Sequence, residues 1–148
     1  MNHLPVDFKV DRSNMSDTEW DLRVQLAAAY RRVDYFGWTE LIYGHLTARV
    51  PGPEPHFLIN PYGLNYDEIT ASNLVKIDVD GAVIDDPPFE INHAGFVIHS
   101  AIHMKHSEEN QVVMHTHTRE GMAVAGTKEG LLPISMFSTS FYLSLIHI

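Results

Sequence analysis

The chain has 148 residues, 45% of them hydrophobic and 20% charged, which is ordinary for a globular domain with its own core. Its formal net charge of −9 argues against nucleic acid and against an anionic membrane surface as binding partners. Because it has no cysteine, disulfides and thiolate metal sites are excluded, and any metal must be held by histidine or carboxylate groups.

The first twenty residues lack the apolar core of a secretory signal peptide. No apolar run elsewhere is long enough to cross a bilayer, so we expect a cytoplasmic protein without a transmembrane segment. Residues 1–15 are predicted to be a flexible lead-in, followed by one domain over residues 16–142.

The first half of that domain predicts one helix and several strands. Residues 16–19, Ser-Asp-Thr-Glu, form a capping-box pattern that opens a helix, and Gly37 is placed to end it. Residues 45–50 alternate like a strand, and residues 56–60 predict a returning strand after a turn rich in proline. Residues 74–85 predict a hairpin about an Asp-Gly turn.

The second half predicts two more helices and two more strands. Residues 88–106 carry apolar side chains at helical spacing, and residues 110–118 read as the next strand. Thr118 can cap a helix that runs to about Thr127, and residues 131–137 predict a final strand. Helices that alternate with hairpin-linked strands predict an α/β fold with helices layered on a mixed, partly antiparallel sheet.

Two histidines one residue apart end the strand predicted over residues 110–118. In an extended chain alternate residues share a face, so His115 and His117 are predicted to point together. Such a pair is either half of a metal site or a coincidence. Neutral imidazoles suit zinc, with manganese or iron as alternatives.

The helix predicted over residues 88–106 carries a second pair, His99 and His103, which share a helix face. For His103 and His106 a polar surface position is favoured over a ligand role. His99 lies among apolar residues, so we predict that it is partly buried. It either orients a metal ligand without binding the metal itself, or it simply satisfies its own hydrogen bonds.

The last residues of the sequence form an apolar stretch without a helix cap or a polar tail. We therefore expect a fragment of a longer protein, with residues 143–148 as a non-native tail. His147 is given no functional role.

Four segments together resemble the class II aldolase/adducin family, and most closely its adducin-like branch. They are YFGWTELIYGHLTARVPG, PYGLNYDEITASNLVKIDVDGAVID, NHAGFVIHSAIH and VVMHTHT, and the resemblance runs from Asp21 to Tyr142. It implies a three-layer α/β/α sandwich with a mixed, mainly antiparallel sheet, incomplete at the C-terminus of this chain.

The resemblance also implies a divalent metal that polarises a carbonyl group during carbon–carbon bond cleavage. His115 and His117 fall on the first two ligand positions of the family, and the third, a later histidine, would lie beyond Tyr142. The family's active sites form between subunits, which implies a homo-oligomer, expected to be a tetramer.

Several positions depart from the aldolase pattern. Gly95 stands where the aldolases carry a glutamate that acts as metal ligand and acid/base group, and glycine cannot move a proton. His93-Ala94 replaces a pair of phosphate-binding serines. In the loop Gly44-His45-Leu46-Thr47 the aldolase asparagine has become His45, although Thr47 and the backbone of Gly44 could still bind an anion.

Two hypotheses follow. In the first, the protein is a metal-dependent aldehyde-lyase acting on a small hydroxylated carbonyl substrate, with His115 and His117 as metal ligands. His99 would then stand behind them, and water, His93 or a neighbouring subunit would move the proton. In the second, the chain is a non-catalytic adducin-like head domain that oligomerises and binds actin and spectrin.

Overall fold

The computed structural model describes residues 8–84, 88–105 and 110–140. His106, residues 1–7 of the predicted lead-in and the predicted tail at 143–148 lie outside the described residues. The chain divides into two compact units, Met1–Thr116 and His117–Ile148, and each is described by itself. The predicted domain boundaries stay predictions.

The described part of the first unit contains a four-stranded antiparallel sheet with the strand order β3-β2-β1-β4. A 3-10 turn at Tyr66–Glu68, which the sequence patterns did not indicate, precedes the third strand. In chain order the helices and strands are α1 (Asp17–Tyr35), β1 (His45–Arg49), β2 (Phe57–Ile59), β3 (Val75–Ile77), α2 (His93–Lys105) and β4 (Val112–His115).

Local signals set both ends of α1. At its start the Ser16 hydroxyl accepts a hydrogen bond from the Glu19 backbone N–H at 3.1 Å, as the capping pattern predicts. After its last residue Gly37 has a φ of +67°, and its N–H donates to the Asp34 carbonyl at 2.8 Å. Glycine adopts this left-handed conformation without steric cost, so the helix stops there.

A buried ion pair fastens α1 to β3. The Arg23 guanidinium is fully buried and donates to Oε1 of Glu19 from Nε at 3.1 Å and from Nη2 at 3.0 Å. Its Nη1 donates to the Leu74 carbonyl at 2.7 Å, and Lys76 Nζ lies 2.8 Å from the other Glu19 oxygen. Both carboxylate oxygens are therefore used, as a buried charge requires.

Tyr30 of α1 holds the end of β1 in place. Its hydroxyl accepts a hydrogen bond from the Leu46 N–H at 2.8 Å and lies 2.8 Å from Oδ1 of Asn60, just beyond β2. The paired residues of β1 and β2 are Ala48 with Leu58 and Arg49 with Phe57, so Leu46 lies beyond that ladder. The tyrosine satisfies backbone groups that would otherwise be buried without partners.

Both faces of β1 are covered, which makes the first unit three layers thick. Leu46 and Ala48 are buried with the apolar residues of α1 in one core. His45 and Thr47 alternate with them and face the other way, and Thr47 hydrogen-bonds to two side chains of α2. Helix, sheet and helix are thus stacked in the predicted order.

The second unit contains two short helices, α3 (Arg119–Ala125) and α4 (Met136–Thr139). Thr118 caps α3 as predicted, and its hydroxyl accepts from the Gly121 N–H at 3.0 Å. The strand predicted over residues 131–137 is wrong, because α4 begins within it and no strand is assigned there. Ser135 accepts from the Ser138 N–H at 3.1 Å and so starts a helical turn.

Among the helices of the described ranges, none combines the length and the apolar character that a membrane span needs.

Candidate metal centre

Two neighbouring strands place His45 and His115 side by side. The residues are directly paired across β1 and β4, and their ring centroids are 5.1 Å apart. Thr47 pairs with Val113 two residues along, so these four side chains share the sheet face that α2 covers. The pairing between rigid strands, rather than the local sequence, brings the two imidazoles together.

Helix α2 adds a third imidazole to this face. Gly95, His99 and His103 recur every four residues along the helix, and all three are buried. The His99 ring centroid lies 4.4 Å from that of His45. One ring nitrogen from each of His45, His99 and His115 lies within 4.8 Å of the others. We call these three residues the histidine cluster.

Gly95 makes the close approach of α2 to β1 possible. A Cβ atom at this position would lie 2.8 Å from Cγ and Cδ2 of His45 and 2.9 Å from its Nε2. These separations are below van der Waals contact, so any larger residue would displace the His45 ring or the helix. The glycine at this position therefore makes the space that the His45 ring fills.

Behind the cluster, a chain of hydrogen bonds links four residues: Asn110, His103, Thr47 and His99. His103 Nδ1 lies 2.6 Å from the Asn110 carbonyl oxygen, and His103 Nε2 lies 2.7 Å from the Thr47 hydroxyl. The same hydroxyl lies 2.7 Å from His99 Nδ1. We call this chain of residues the Thr47 relay.

The relay assigns a tautomer to each neutral histidine. A carbonyl oxygen only accepts, so His103 carries its proton on Nδ1 and must accept from the Thr47 hydroxyl through Nε2. That hydroxyl donates its only O–H to His103, so it must accept a hydrogen bond from the Nδ1–H of His99. His99 therefore keeps an unprotonated Nε2, which is the form that binds a metal.

Burial keeps the relay histidines neutral. Burial, together with the nearby rings of His45, His103 and His115, lowers the pKa of His99 to about 3. Burial also lowers the pKa of His103. The hydrogen bond to the Asn110 carbonyl opposes that shift, and the Arg49 charge adds to it. Near neutral pH both rings are therefore available as lone-pair donors and acceptors.

The surface position predicted for His103 is wrong. Its side chain is 0% exposed, and its ring stacks on Phe57 with centroids 4.8 Å apart. Helical spacing already placed it on the same face as His99, for which partial burial is predicted and whose side chain is 2% exposed. The polarity of histidine was the misleading signal, because a paired imidazole is readily buried.

Of the two histidines predicted as metal ligands, His115 belongs to the histidine cluster. Strand β4 ends at His115, and His117 opens the second compact unit. The alternation that predicts a shared face applies within an extended strand, and strand pairing does not continue to residue 117. A ligand role for His117 stays a prediction.

Three other predicted site residues, Thr47, Gly44 and His93, differ in their burial and in their contacts. Thr47 is buried with its hydroxyl engaged by two histidines, which favours an orienting role over anion binding. Gly44 has a φ of +83°, and a Cβ there would lie 2.9 Å from the His115 carbonyl oxygen. His93 is exposed at the start of α2, with its ring centroid 5.9 Å from that of Phe96.

His45 is the residue of the cluster that sequence reasoning did not assign to the site. It was noted only as a departure from the aldolase loop. The available signal was its position two residues before Thr47 in a predicted strand, which puts both on one face. Its partners on β4 and α2 are distant in sequence, so their contact depended on the fold.

The cluster opens toward a pocket of about 360 Å³. Its lining includes two cluster histidines and otherwise consists mainly of apolar side chains, with no lysine or arginine among the described residues. A small ligand could therefore reach the histidine nitrogens from this side. The lining residues are Ile98, His99, Ile102, Val113, Met114, His115 and Thr116.

The neutral state of His103 predicts a pH dependence of stability. Its pKa is lowered in the folded protein, so the unfolded chain takes up the proton first as the pH falls below the ordinary value of 6.5. The free energy of unfolding should then decrease on acidification, by up to about 1.4 kcal/mol per pH unit for this group. Urea denaturation between pH 5 and 8, with chelator present, measures the slope.

His103→Phe should make this slope shallower below pH 6.5, and the share that comes from the lowered pKa of His99 should remain. Ser100→Ala, in the same helix, removes no titrating group and should retain the wild-type slope. Equal slopes for wild type and His103→Phe would contradict the assignment.

Comparison with known proteins places this chain in a family. The sequence profile described as "Class II Aldolase and Adducin N-terminal domain" matches residues 24–148. An aldolase II superfamily protein from Pseudomonas syringae superposes with a TM-score of 0.85 at 57% identity, over 90% of this chain and 54% of that one. An L-fuculose 1-phosphate aldolase from Glaciozyma antarctica PI12 superposes with a TM-score of 0.77 at 35% identity, over 85% of this chain and 51% of that one.

The similarity extends to adducins. Alpha-adducin of Rattus norvegicus is 49% identical over 116 residues, which is 77% of this chain and 16% of the relative. The chain spans about half the length of two bacterial relatives that it matches, 49% of the relative from Caulobacter vibrioides and 51% of the relative from Pseudomonas aeruginosa. The likeness to the two solved structures confirms the predicted class II aldolase-like fold. The chain belongs to the class II aldolase and adducin family.

Proposed function

We propose that this protein is a divalent-metal-dependent enzyme that breaks or forms a carbon–carbon bond in a small hydroxylated carbonyl compound. The observation that carries the proposal is the group of three imidazoles beside a pocket of about 360 Å³. The 35% identity to a protein named as an L-fuculose 1-phosphate aldolase supports the reaction class. A cytoplasmic location and a homo-oligomer, a tetramer, are part of the same proposal.

The residues present fit a divalent metal. The donor atoms are imidazole nitrogens, and the chain has no cysteine thiolate to compete with them, which suits zinc and also allows manganese or iron. His115 belongs both to the pair predicted from the sequence and to the histidine cluster, and His117 is its predicted companion. When bound, the metal would supply a fixed positive charge that stabilises the charge developing on a carbonyl oxygen.

The chain's own residues hold and orient the reacting groups. Thr47 fixes the His99 ring through Nδ1, and His103 fixes the threonine hydroxyl in turn. Ile98, Ile102 and Val113 supply apolar side chains that could contact the carbon skeleton of a substrate. Since residue 95 is glycine, the proton must be moved by another group, and water, His93 or a neighbouring subunit remain the candidates.

The substrate is proposed to lack a phosphate. The pocket lining among the described residues carries no positive side chain, and the Thr47 hydroxyl is committed to two histidines. His93 and Ala94 stand where the aldolases carry their phosphate-binding serines. A neutral or weakly acidic hydroxylated aldehyde or ketone fits this surface better than a sugar phosphate.

Proton exchange tests the activity without knowledge of the full substrate. The zinc-loaded protein should exchange the hydrogen next to the carbonyl of a small hydroxyketone, such as dihydroxyacetone, for deuterium, as followed by NMR. His115→Ala should reduce the exchange rate by at least about 100-fold, since loss of a metal ligand removes the charge stabilisation. Ser100→Ala should keep the wild-type rate, and an unchanged rate for His115→Ala would contradict the proposal.

A second candidate function rests on the 49% identity to alpha-adducin. In that case the chain is a non-catalytic adducin-like head domain that oligomerises and binds actin and spectrin. Under this alternative the protein should pellet with actin filaments at physiological salt, and His115→Ala should pellet equally well. If the protein stays in the supernatant at micromolar actin, the alternative is wrong.

A further inference from the structure

We infer that the Tyr66 hydroxyl and the His115 backbone carbonyl form a subsite for one hydroxyl group of the substrate, beside Gly44. This inference rests on the proposed function and deepens it, because it names groups that would recognise a hydroxylated compound. All three residues lie in the first unit. The subsite is independent of which histidines hold the metal.

The first support is a buried hydroxyl without a partner in the chain. Tyr66 is 1% exposed, and among the described residues none forms a hydrogen bond with its hydroxyl. Burying such a group unpaired costs free energy, which a phenylalanine of the same shape would avoid. The protein therefore carries a hydrogen-bond donor here that its own packing does not use.

Packing of the ring, rather than a hydrogen bond, holds this donor in place. The Tyr66 ring stands edge-to-face against Tyr30, with centroids 4.8 Å apart and ring planes at 82°. The Tyr30 hydroxyl in turn accepts a hydrogen bond from the Leu46 N–H at 2.8 Å. A donor that is held before a ligand arrives loses less entropy on binding, which raises affinity.

The second support is the space beside Gly44, just before β1. A Cβ at Gly44 would lie 2.8 Å from the Tyr66 hydroxyl oxygen and 2.9 Å from the His115 carbonyl oxygen. Both oxygens therefore border the place where the side chain of any other residue would begin. We call this place the Gly44 notch.

The two oxygens at the notch have complementary hydrogen-bonding roles. The tyrosine O–H donates, and burial raises the pKa of Tyr66, so the phenol keeps its proton near neutral pH. The carbonyl oxygen has two lone pairs and only accepts. A ligand hydroxyl satisfies both groups, because it accepts one hydrogen bond and donates another. A carboxylate has no proton for the carbonyl, so the pair favours a neutral alcohol group.

The third support is the position of the notch next to the candidate substrate pocket. His115 lines that pocket, and its carbonyl oxygen borders the notch. A small compound in the pocket could therefore direct one of its hydroxyl groups toward Tyr66. The pocket lining carries no positive side chain among the described residues, which also suits a neutral ligand.

Binding of dihydroxyacetone to the full chain, followed by NMR titration, tests the subsite without requiring catalysis. Tyr66→Phe keeps the ring and removes only the donor, so it should weaken binding by about 5- to 10-fold, the loss expected for one hydrogen bond. Tyr35→Phe is the matched control at a tyrosine that is 83% exposed, and it should bind as wild type does. Acetone has no hydroxyl, so it should bind equally to wild type and Tyr66→Phe.

Thermal stability distinguishes a ligand-binding hydroxyl from a structural one. Without ligand, Tyr66→Phe should melt at or above the wild-type temperature, because it removes a buried group that lacks a partner among the described residues. Tyr30→Phe should melt at a lower temperature, since its hydroxyl is bonded to Leu46 and Asn60. A lower melting temperature for Tyr66→Phe would contradict the inference.

Gly44→Ala fills the notch without removing either oxygen. Its Cβ should weaken dihydroxyacetone binding at least as much as Tyr66→Phe does. Gly37→Ala is the matched control, because Gly37 has a φ of +67°, close to the +83° of Gly44, and no described atom lies within 4 Å of its Cβ position. The backbone strain is then similar in both variants, and only Gly44→Ala should lose affinity. If Gly44→Ala fails to fold, Tyr66→Phe decides the question.

The outcomes separate the subsite from the proposed function. If Tyr66→Phe binds dihydroxyacetone as wild type does, the notch holds water at most and the subsite is wrong, whatever the exchange assay shows. If binding depends on Tyr66 but the zinc-loaded protein exchanges no substrate hydrogen, the proposed activity is wrong and the subsite stands. A wild-type chain that does not bind dihydroxyacetone at tens of millimolar contradicts the subsite.

Discussion

The shared hydroxyl of Thr47 is the interaction on which the site depends. It lies 2.7 Å from a nitrogen of each of two buried histidines, and it joins β1 to α2 across the interior of the first unit. A hydroxyl has a single proton, so this one contact sets the direction of every hydrogen bond from the Asn110 carbonyl to His99. The unprotonated nitrogen of His99 then follows from elementary hydrogen-bond counting.

The fold brings side chains from β1, β4 and α2 together at one face of the sheet. Antiparallel pairing of β1 with β4 sets His45 opposite His115, and the absence of a side chain at Gly95 lets α2 approach His45. Burying several imidazoles costs desolvation free energy, which appears as the lowered pKa of His99. Natural proteins accept such local costs mainly where chemistry requires them. That cost favours a functional centre over a core arranged for packing alone.

Sequence patterns predicted the local features well and the tertiary ones poorly. The cap at Ser16, the glycine stop at Gly37 and the cap at Thr118 depend on residues close in sequence, and each lies where it was predicted. The prediction of a strand over residues 131–137 was wrong because Ser135 caps a helical turn within a short apolar run. His45 and His103 were misjudged because their environments come from partners more than 40 residues away, Gly95 and Thr47, which spacing rules do not reach.

The proton positions in the relay are the most direct test of this account. Nitrogen-15 NMR of the imidazole rings, recorded on metal-free protein near neutral pH, distinguishes protonated from unprotonated nitrogens at each histidine. The account predicts that His99 and His103 both carry their proton on Nδ1 and that Nε2 of His99 is bare. A proton on Nε2 of His99 would contradict it, because that ring could not then present a lone pair to a metal.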